Sequence, residues 1–395
     1  MLVLGVGRHD ADSVDAYYGP PELKGAADEA SLSLAEIEAS ARALIDDIDD
    51  APASADEIDR ARPPFLRRQL DALITRVRML QGERLSFDEE AHALYDVTPP
   101  TYSETHFQEI VARLDSALPG TGRVPERYVA YRSAFAIPTD RLDAVFTAAI
   151  RAGRDRTKEF IDLPSTESFV VEYVSDRPWS GYNWYQGNYH SLIQVNTSLP
   201  IYIDRAVDLA CHEGYPGHHV YNTLLEQHLV WERGWVEFTV YPLFSPQSLI
   251  AEGSANYGIE IALPGDERAD FERSVVFPLA GLDPDRVDEY YAVQDLVRAL
   301  SYAGNEAARR YLNGEFDAAA ATSWLERYAL ASPAAARQRI RFFDTYRSYV
   351  VNYNVGQDLV GAYVERAAGV DNAARWRVFE SLLTAPRLPS SLRAA

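Results

Sequence analysis

Along most of the first 165 residues apolar side chains recur at spacings of three and four, and each run is closed by proline or glycine. A chain written this way folds as packed amphipathic helices. Residues 31–49 carry Leu34, Ile37, Ala41, Leu44, Ile45 and Ile48 on one stripe, and residues 65–80 carry Leu66, Leu70, Leu73, Ile74, Val77 and Leu80. Ser86-Phe87-Asp88-Glu89 predicts a capping box, in which the serine hydroxyl and the glutamate carboxylate each take up a free amide at a helix start. Two more helices are expected over 104–118 and 140–161, and the expected breaks are Pro63-Pro64, Pro99-Pro100, Pro119-Gly120 and Pro138.

Between residues 166 and 203 the texture changes. Residues 168–174 and 192–196 are rich in β-branched and aromatic side chains, with Asp176-Arg177-Pro178 and Gln186-Gly187-Asn188 between them. This predicts a small antiparallel sheet of two or three strands, whose last strand leads into a helix starting near Tyr202. The chain then reads as helical again, with long aromatic-bearing stretches at 284–312 and 334–366. The expected class is mainly α, with one small antiparallel β-sheet beside the helix that carries the chemistry. Residues 1–165 form an N-terminal helical region and residues 166–395 a catalytic helical region, expected to pack as one cleft-forming unit.

Charge narrows the function classes. The net charge is -21 over 395 residues, and such a surface repels phosphate backbones and anionic headgroups. Neither a nucleic-acid nor a membrane partner is expected. A single cysteine, Cys211, excludes an internal disulfide framework. The apolar start at residues 1–7 is shorter than the ~18 residues a membrane span needs and lacks a basic leader, so a cytoplasmic protein is expected. A chain of this length buries roughly 75% of its unfolded surface, so a metal site has to be argued as chemistry rather than as a folding aid.

That chemistry is concentrated in Leu209-Ala-Cys-His212-Glu213-Gly-Tyr-Pro216-Gly217-His218-His219. Neutral imidazoles bind Zn²⁺ at ~2.0–2.1 Å and leave a coordination position for water, whose proton an adjacent carboxylate can take. Four-residue spacing would put two histidines on one helical face, but that position here is Pro216. Positions six or seven apart on a straight helix stand ~9–10 Å apart along its axis, too far to share one ion. A proline-induced kink with a bulge at Gly217 brings His218 back beside His212, with His219 as the alternative. A third ligand is expected on the following helix, which Ser245-Pro246 opens and which carries Glu252 among small and apolar residues. Burying that carboxylate unpaired is costly, and coordination removes the cost.

These segments resemble a large bacterial family of unknown function with the motifs HExxPGHH, EGWALY and QALSYxxG, itself related to the carboxypeptidase Taq family of helical zinc peptidases. The resemblance covers about residues 165–310: His212-Glu213 to His218-His219, Glu252-Gly-Ser-Ala-Asn-Tyr257 and Ala299-Leu-Ser-Tyr302-Ala-Gly304. It implies His212, His218 and Glu252 as metal ligands and Glu213 as general base. Ser254 stands where the family has tryptophan, and Glu260 lies one position late for the family's following carboxylate. Tyr353, in Tyr353-Asn-Val-Gly356, is similar to a tyrosine near the end of carboxypeptidase Taq enzymes.

An oxyanion at the metal needs a further donor, for which Tyr302 and Tyr353 are the candidates. The strand at 192–197 is a candidate to pair with an extended peptide by its edge, with Asn196 bonding the substrate backbone. Arg298, Arg309 and Arg347 are candidates to hold a terminal carboxylate. The reading is a zinc-dependent peptidase of short peptides, with another divalent metal, a non-peptide amide or ester substrate, or a non-catalytic metal-binding protein as alternatives.

Overall fold

The computed structural model describes residues 1–50, 54–177 and 179–393; Pro178, one of the expected strand breaks, lies outside them. Helices form where the three-and-four spacing is written, and several of them begin where a side chain caps them. Ser86 and Glu89 make the capping box of the Phe87–Tyr95 helix, and Ser33 and Glu36 make another for Leu34–Asp49. Pro63-Pro64 is not a break. Both prolines lie inside the Glu57–Leu80 helix, two turns from its start, where the ring holds φ near its helical value and the helix continues without the two amides they lack. The long stretch at 284–312 is two helices, Val287–Arg298 and Ala303–Leu312; that at 334–366 is also two, Pro333–Tyr346 and Val351–Ala368. Residues from both sides of position 165 share one core, in which Phe107, Tyr131 and Val145 pack with Ile203, Tyr290 and Trp324. Among the described residues, no helix is long and apolar enough to cross a membrane.

Among the described residues, five strands, β1 (Val14–Tyr17), β2 (Ser168–Val174), β3 (Gly181–Tyr185), β4 (His190–Asn196) and β5 (Val240–Pro242), make two small sheets. β1 and β5 form an antiparallel ribbon. In the other sheet the order is β2-β4-β3. The β3–β4 pair is antiparallel as expected, whereas β2 runs parallel to β4, because β4 returns between the two strands that precede it. The face with Phe169, Val171, Ile193 and Val195 packs toward Leu209 and Ala210, setting the sheet against the chain that carries the histidines. β4 is central, with both edges paired, so the 192–197 strand has no free edge for a peptide, contrary to the sequence expectation.

The Pro246–Ala262 helix runs through the interior, with Leu249, Ile250, Ala251, Ala255, Tyr257 and Ile261 each no more than 2% exposed. It lies against Val351–Ala368 at a pair of glycines: a Cβ on Gly253 would stand 2.5 Å from the carbonyl carbon of Gly356. Backbone on both sides leaves nothing to give way. Gly253→Ala is therefore expected to destabilise the fold by about 3 kcal/mol in urea unfolding, and an unchanged midpoint would mean the two helices do not meet so closely.

Candidate metal centre

The His-Glu segment is a broken helix rather than a kinked one. An α-helix at Ile203–Leu209 passes into a single π-turn, Ala210–Gly214; the chain leaves helix at 215–217 and re-enters it with His218–Leu225. Pro216 cannot donate to a helical ladder. Gly217 takes ψ -136°, outside the helical range, while its amide bonds the Cys211 carbonyl at 2.9 Å. Any side chain there would strike backbone, since a Cβ would lie 1.9 Å from the His212 carbonyl oxygen. Across the break, His212 Nε2 and His218 Nε2 come to 3.1 Å.

Glu252 faces both imidazoles from the central helix, its Oε2 lying 3.3 Å from His212 Nε2 and 3.7 Å from His218 Nε2. Ligands held at 2.0–2.1 Å around one tetrahedral ion stand about 3.3 Å apart, so the three atoms have the separations of a shared cation. The donor set fits in its details as well. Glu252 is 7% exposed; its Oε1 accepts from the Tyr349 hydroxyl at 2.9 Å, while Oε2 is buried without a hydrogen-bond partner. Asn256, one turn beyond Glu252, donates through Nδ2 to the Tyr353 carbonyl at 3.0 Å and turns Oδ1 to His212 Nδ1 at 2.9 Å. His212 then carries its proton on Nδ1 and presents an Nε2 lone pair, the tautomer a metal ligand needs.

Electrostatics follow from this crowding. Burial opposes charge on Glu252, yet the two imidazoles more than offset it and hold the carboxyl well below its usual range. Burial likewise opposes charge on His218, and the Glu252 carboxylate outweighs it, pushing the imidazole up to about 9. Glu213 is 5% exposed and its pKa is raised, chiefly by burial and against the pull of His212 and His218. Its carboxylate lies within 4.8 Å of a nitrogen of each imidazole. Its backbone carbonyl is held by Asn183 Nδ2 at 2.7 Å.

His219 is placed differently. It is fully buried, with Nδ1 2.9 Å from Ser191 Oγ and Nε2 3.1 Å from Glu167 Oε2, so both ring nitrogens are taken. Its pKa is lowered, by burial.

Of the two tyrosines, Tyr353 lies beside the candidate centre: its carbonyl accepts from Asn256 and its ring is 5.9 Å from that of Tyr349, whose hydroxyl bonds Glu252. Its phenol is raised by burial and then by Glu252, with Glu213 acting on it too. Tyr302 does not: its hydroxyl donates to Asp358 and its ring lies 5.0 Å from that of Tyr102. Asp358 follows Tyr353 by five positions, about 140° around the helix, so Tyr302 serves another side of it. Asn196 is also spent locally, donating to the Arg177 and Trp179 carbonyls at 2.9 and 2.8 Å and accepting from the Ser198 amide at 3.0 Å. It pins the link between β2 and β3 and has no polar group left for substrate. Arg298, Arg309 and Arg347 are committed to Asp295, Asp88 with Glu306, and Glu90, respectively.

The sequence reading missed Asn256 and Tyr349, which contact His212 and Glu252. Asn256 had a signal, being one turn beyond Glu252 on the same helical face, whereas Tyr349 lies in the short 3₁₀ turn Arg347–Val350 that precedes the helix of Tyr353. Arg339 has no carboxylate partner among the described residues; its guanidinium lies 5.9 Å from the Phe342 ring, which is 6.5 Å from that of Tyr353.

No family model matches the sequence, and no curated protein matches it. Among solved structures the chain is similar to a candidate lipoprotein from Colwellia psychrerythraea, at 15% identity over 91% of this chain and 68% of that one, with a TM-score of 0.54. It also matches a candidate lipoprotein of unknown function from Shewanella oneidensis at 13% identity, over 94% of this chain and 75% of that one, with a TM-score of 0.49. An M32 carboxypeptidase from Deinococcus radiodurans R1 matches at 13% identity over 97% and 86% of the two chains, with a TM-score of 0.46. At these identities the Colwellia likeness is one of fold alone.

Proposed function

We propose that the protein is a zinc-dependent metallopeptidase of short peptides, carboxypeptidase-like or dipeptidase-like. The observation that carries this reading is the triangle of His212 Nε2, His218 Nε2 and Glu252 Oε2, at 3.1, 3.3 and 3.7 Å, with a buried carboxylate oxygen in it that no donor satisfies. These three residues hold the ion, and Asn256 and Tyr349 orient the first and third. A divalent ion there supplies Lewis acidity, acidifying water and polarising the scissile carbonyl.

Glu213 follows His212 directly and is kept from solvent, where burial makes its carboxylate a stronger base. It takes the proton of the attacking water and returns it to the nitrogen of the leaving amine as the C–N bond breaks. Tyr353 donates its phenolic hydrogen to the oxyanion that develops on the carbonyl. Arg339, free of any acidic partner among the described residues, suits a substrate carboxylate.

The deciding experiment strips the protein with a chelator, reloads it with Zn²⁺, Mn²⁺ or Co²⁺ and assays dipeptides and tripeptides beside amide and ester substrates, since His₂Glu sites accept several divalent ions. Stripping is expected to lower peptide hydrolysis by at least about 10³-fold, with one equivalent of metal restoring it. Hydrolysis indifferent to chelation overturns the reading. Cleavage of esters without peptides moves it to a non-peptide hydrolase.

A further inference from the structure

β3 is the last strand of its sheet, and its outer edge is unpaired. Two backbone bonds fix which of its groups face outward. The Asn196 amide donates to the Ser180 carbonyl and the Gln186 amide to the His190 carbonyl, each at 2.9 Å. Bonded pairs alternate along an antiparallel ladder, so Tyr182 and Trp184 spend their amides and carbonyls on Gln194 and Leu192. Those of Gly181 and Asn183 point away from β4 and have no partner among the described residues. Both residues keep part of their surface open. Tyr185, the next outward-facing position, is 5% exposed, and the Tyr18 ring packs edge-on to it at 5.1 Å. The open stretch is therefore two positions long, about 7 Å.

This short edge adjoins the proposed general base. Gly181 lies so close to Glu213 that a Cβ on it would stand 2.7 Å from Oε1, and Asn183 Nδ2 holds the Glu213 carbonyl at 2.7 Å. Contacts beneath the sheet step toward the candidate centre from strand to strand. Tyr215 lies 5.1 Å from Phe169 of β2, His219 bonds Ser191 of β4, and Glu213 meets β3. β2 also ends the sheet, but Tyr215 and His219 on its side are both spent on Glu167.

Unpaired amides and carbonyls in a row are a template for a further strand. An amide or ester that is not part of a peptide chain meets them at one position at most. An extended peptide meets them at every second residue.

We infer that the outer edge of β3, at Gly181 and Asn183, binds the backbone of an extended substrate, which makes the enzyme selective for linear peptides of three or more residues. Residues two apart in the substrate pair with the two open positions, and a dipeptide reaches only one. This rests on the metallopeptidase reading, and the experiment separates the two. Titration calorimetry on zinc-loaded Glu213→Gln protein compares tetraalanine with dialanine and with three tetraalanine analogues, each N-methylated at one amide. The zinc-loaded wild type is assayed for hydrolysis of tetraalanine. Methylation is expected to weaken binding about tenfold or more at alternate amides, and about threefold or less at those between, which face away from the edge. Dialanine should bind at least about tenfold more weakly than tetraalanine. Asn183→Pro removes an outward amide that the β3–β4 ladder does not use, whereas Asn183→Ala keeps it. The proline variant should bind tetraalanine at least about fivefold more weakly than the alanine variant, at equal zinc content.

Equal effects of methylation at all three amides overturn the assignment, and so does a proline variant that binds as tightly as the alanine variant. The methylation series needs no change in β3, so it decides alone if the proline variant does not fold. Alternation without hydrolysis by the wild type removes the peptidase reading and leaves β3 as a peptide-binding edge. Hydrolysis without alternation does the reverse.

Discussion

Glu213→Gln is expected to lower kcat/KM for peptide hydrolysis by about 10³-fold while the protein still binds one equivalent of metal. Glutamine matches glutamate in size, so it fits the close contact with Gly181, and the Asn183 bond to the Glu213 carbonyl is a backbone contact that survives. What disappears, on the proposed mechanism, is the group that would accept a proton from water and pass it to the departing nitrogen. The proposed ligand set leaves Glu213 out, because Glu252 Oε2 lies 3.3 and 3.7 Å from the two imidazoles and has no hydrogen-bond partner. Both quantities need measuring on one preparation, by steady-state kinetics and elemental analysis. Turnover equal to wild type removes Glu213 from the chemistry. Loss of metal with the substitution would make it a ligand in place of Glu252, since its carboxylate is within 4.8 Å of a nitrogen of each histidine.

The second large effect separates two neighbouring histidines. His218→Ala should weaken metal binding by more than about 10²-fold, the scale on which even supporting groups of a metal site act. The fold should persist, because His218 reaches the site from the first turn of its helix, next to the break. His219→Ala should keep its metal and lose stability by about 2–3 kcal/mol. Its imidazole bridges Ser191 and Glu167, and Glu167, 5% exposed, would be left to Tyr215 and Arg154. Metal content and urea midpoints of the two variants should therefore move in opposite patterns. A His219 variant that loses metal while the His218 variant keeps it would exchange their roles.

Much of the fold could be read in advance where its cause is local. Capping at Ser33 and Ser86 and the three-and-four stripes depend on residues within a turn or two of one another, and the helices formed there. Pro63-Pro64 misled because a proline's effect depends on where in a helix it falls and what its lost amide would have bonded. β3 went unseen and the sheet was expected to be antiparallel throughout, since strand order is set by which edges find each other rather than by the strands' own composition. The same fact removed the free edge expected of β4.

The candidate centre divides along the same line. The residue types and their spacing already carried a histidine pair, an adjacent base and a distant carboxylate: proline and glycine between two histidines specify an interruption whatever surrounds them. The direction in which each side chain points is another matter. Tyr302 and Tyr353 are alike as residues, and only the packing of the Val351–Ala368 helix puts one by Glu252 and turns the other to Asp358. Asn196 shows the same limit: nothing local announced that its own loop would absorb it. Backbone propensity acts over a few residues and is written in them. Convergence on a common cation is a property of long-range packing, which no local stretch of chain encodes alone.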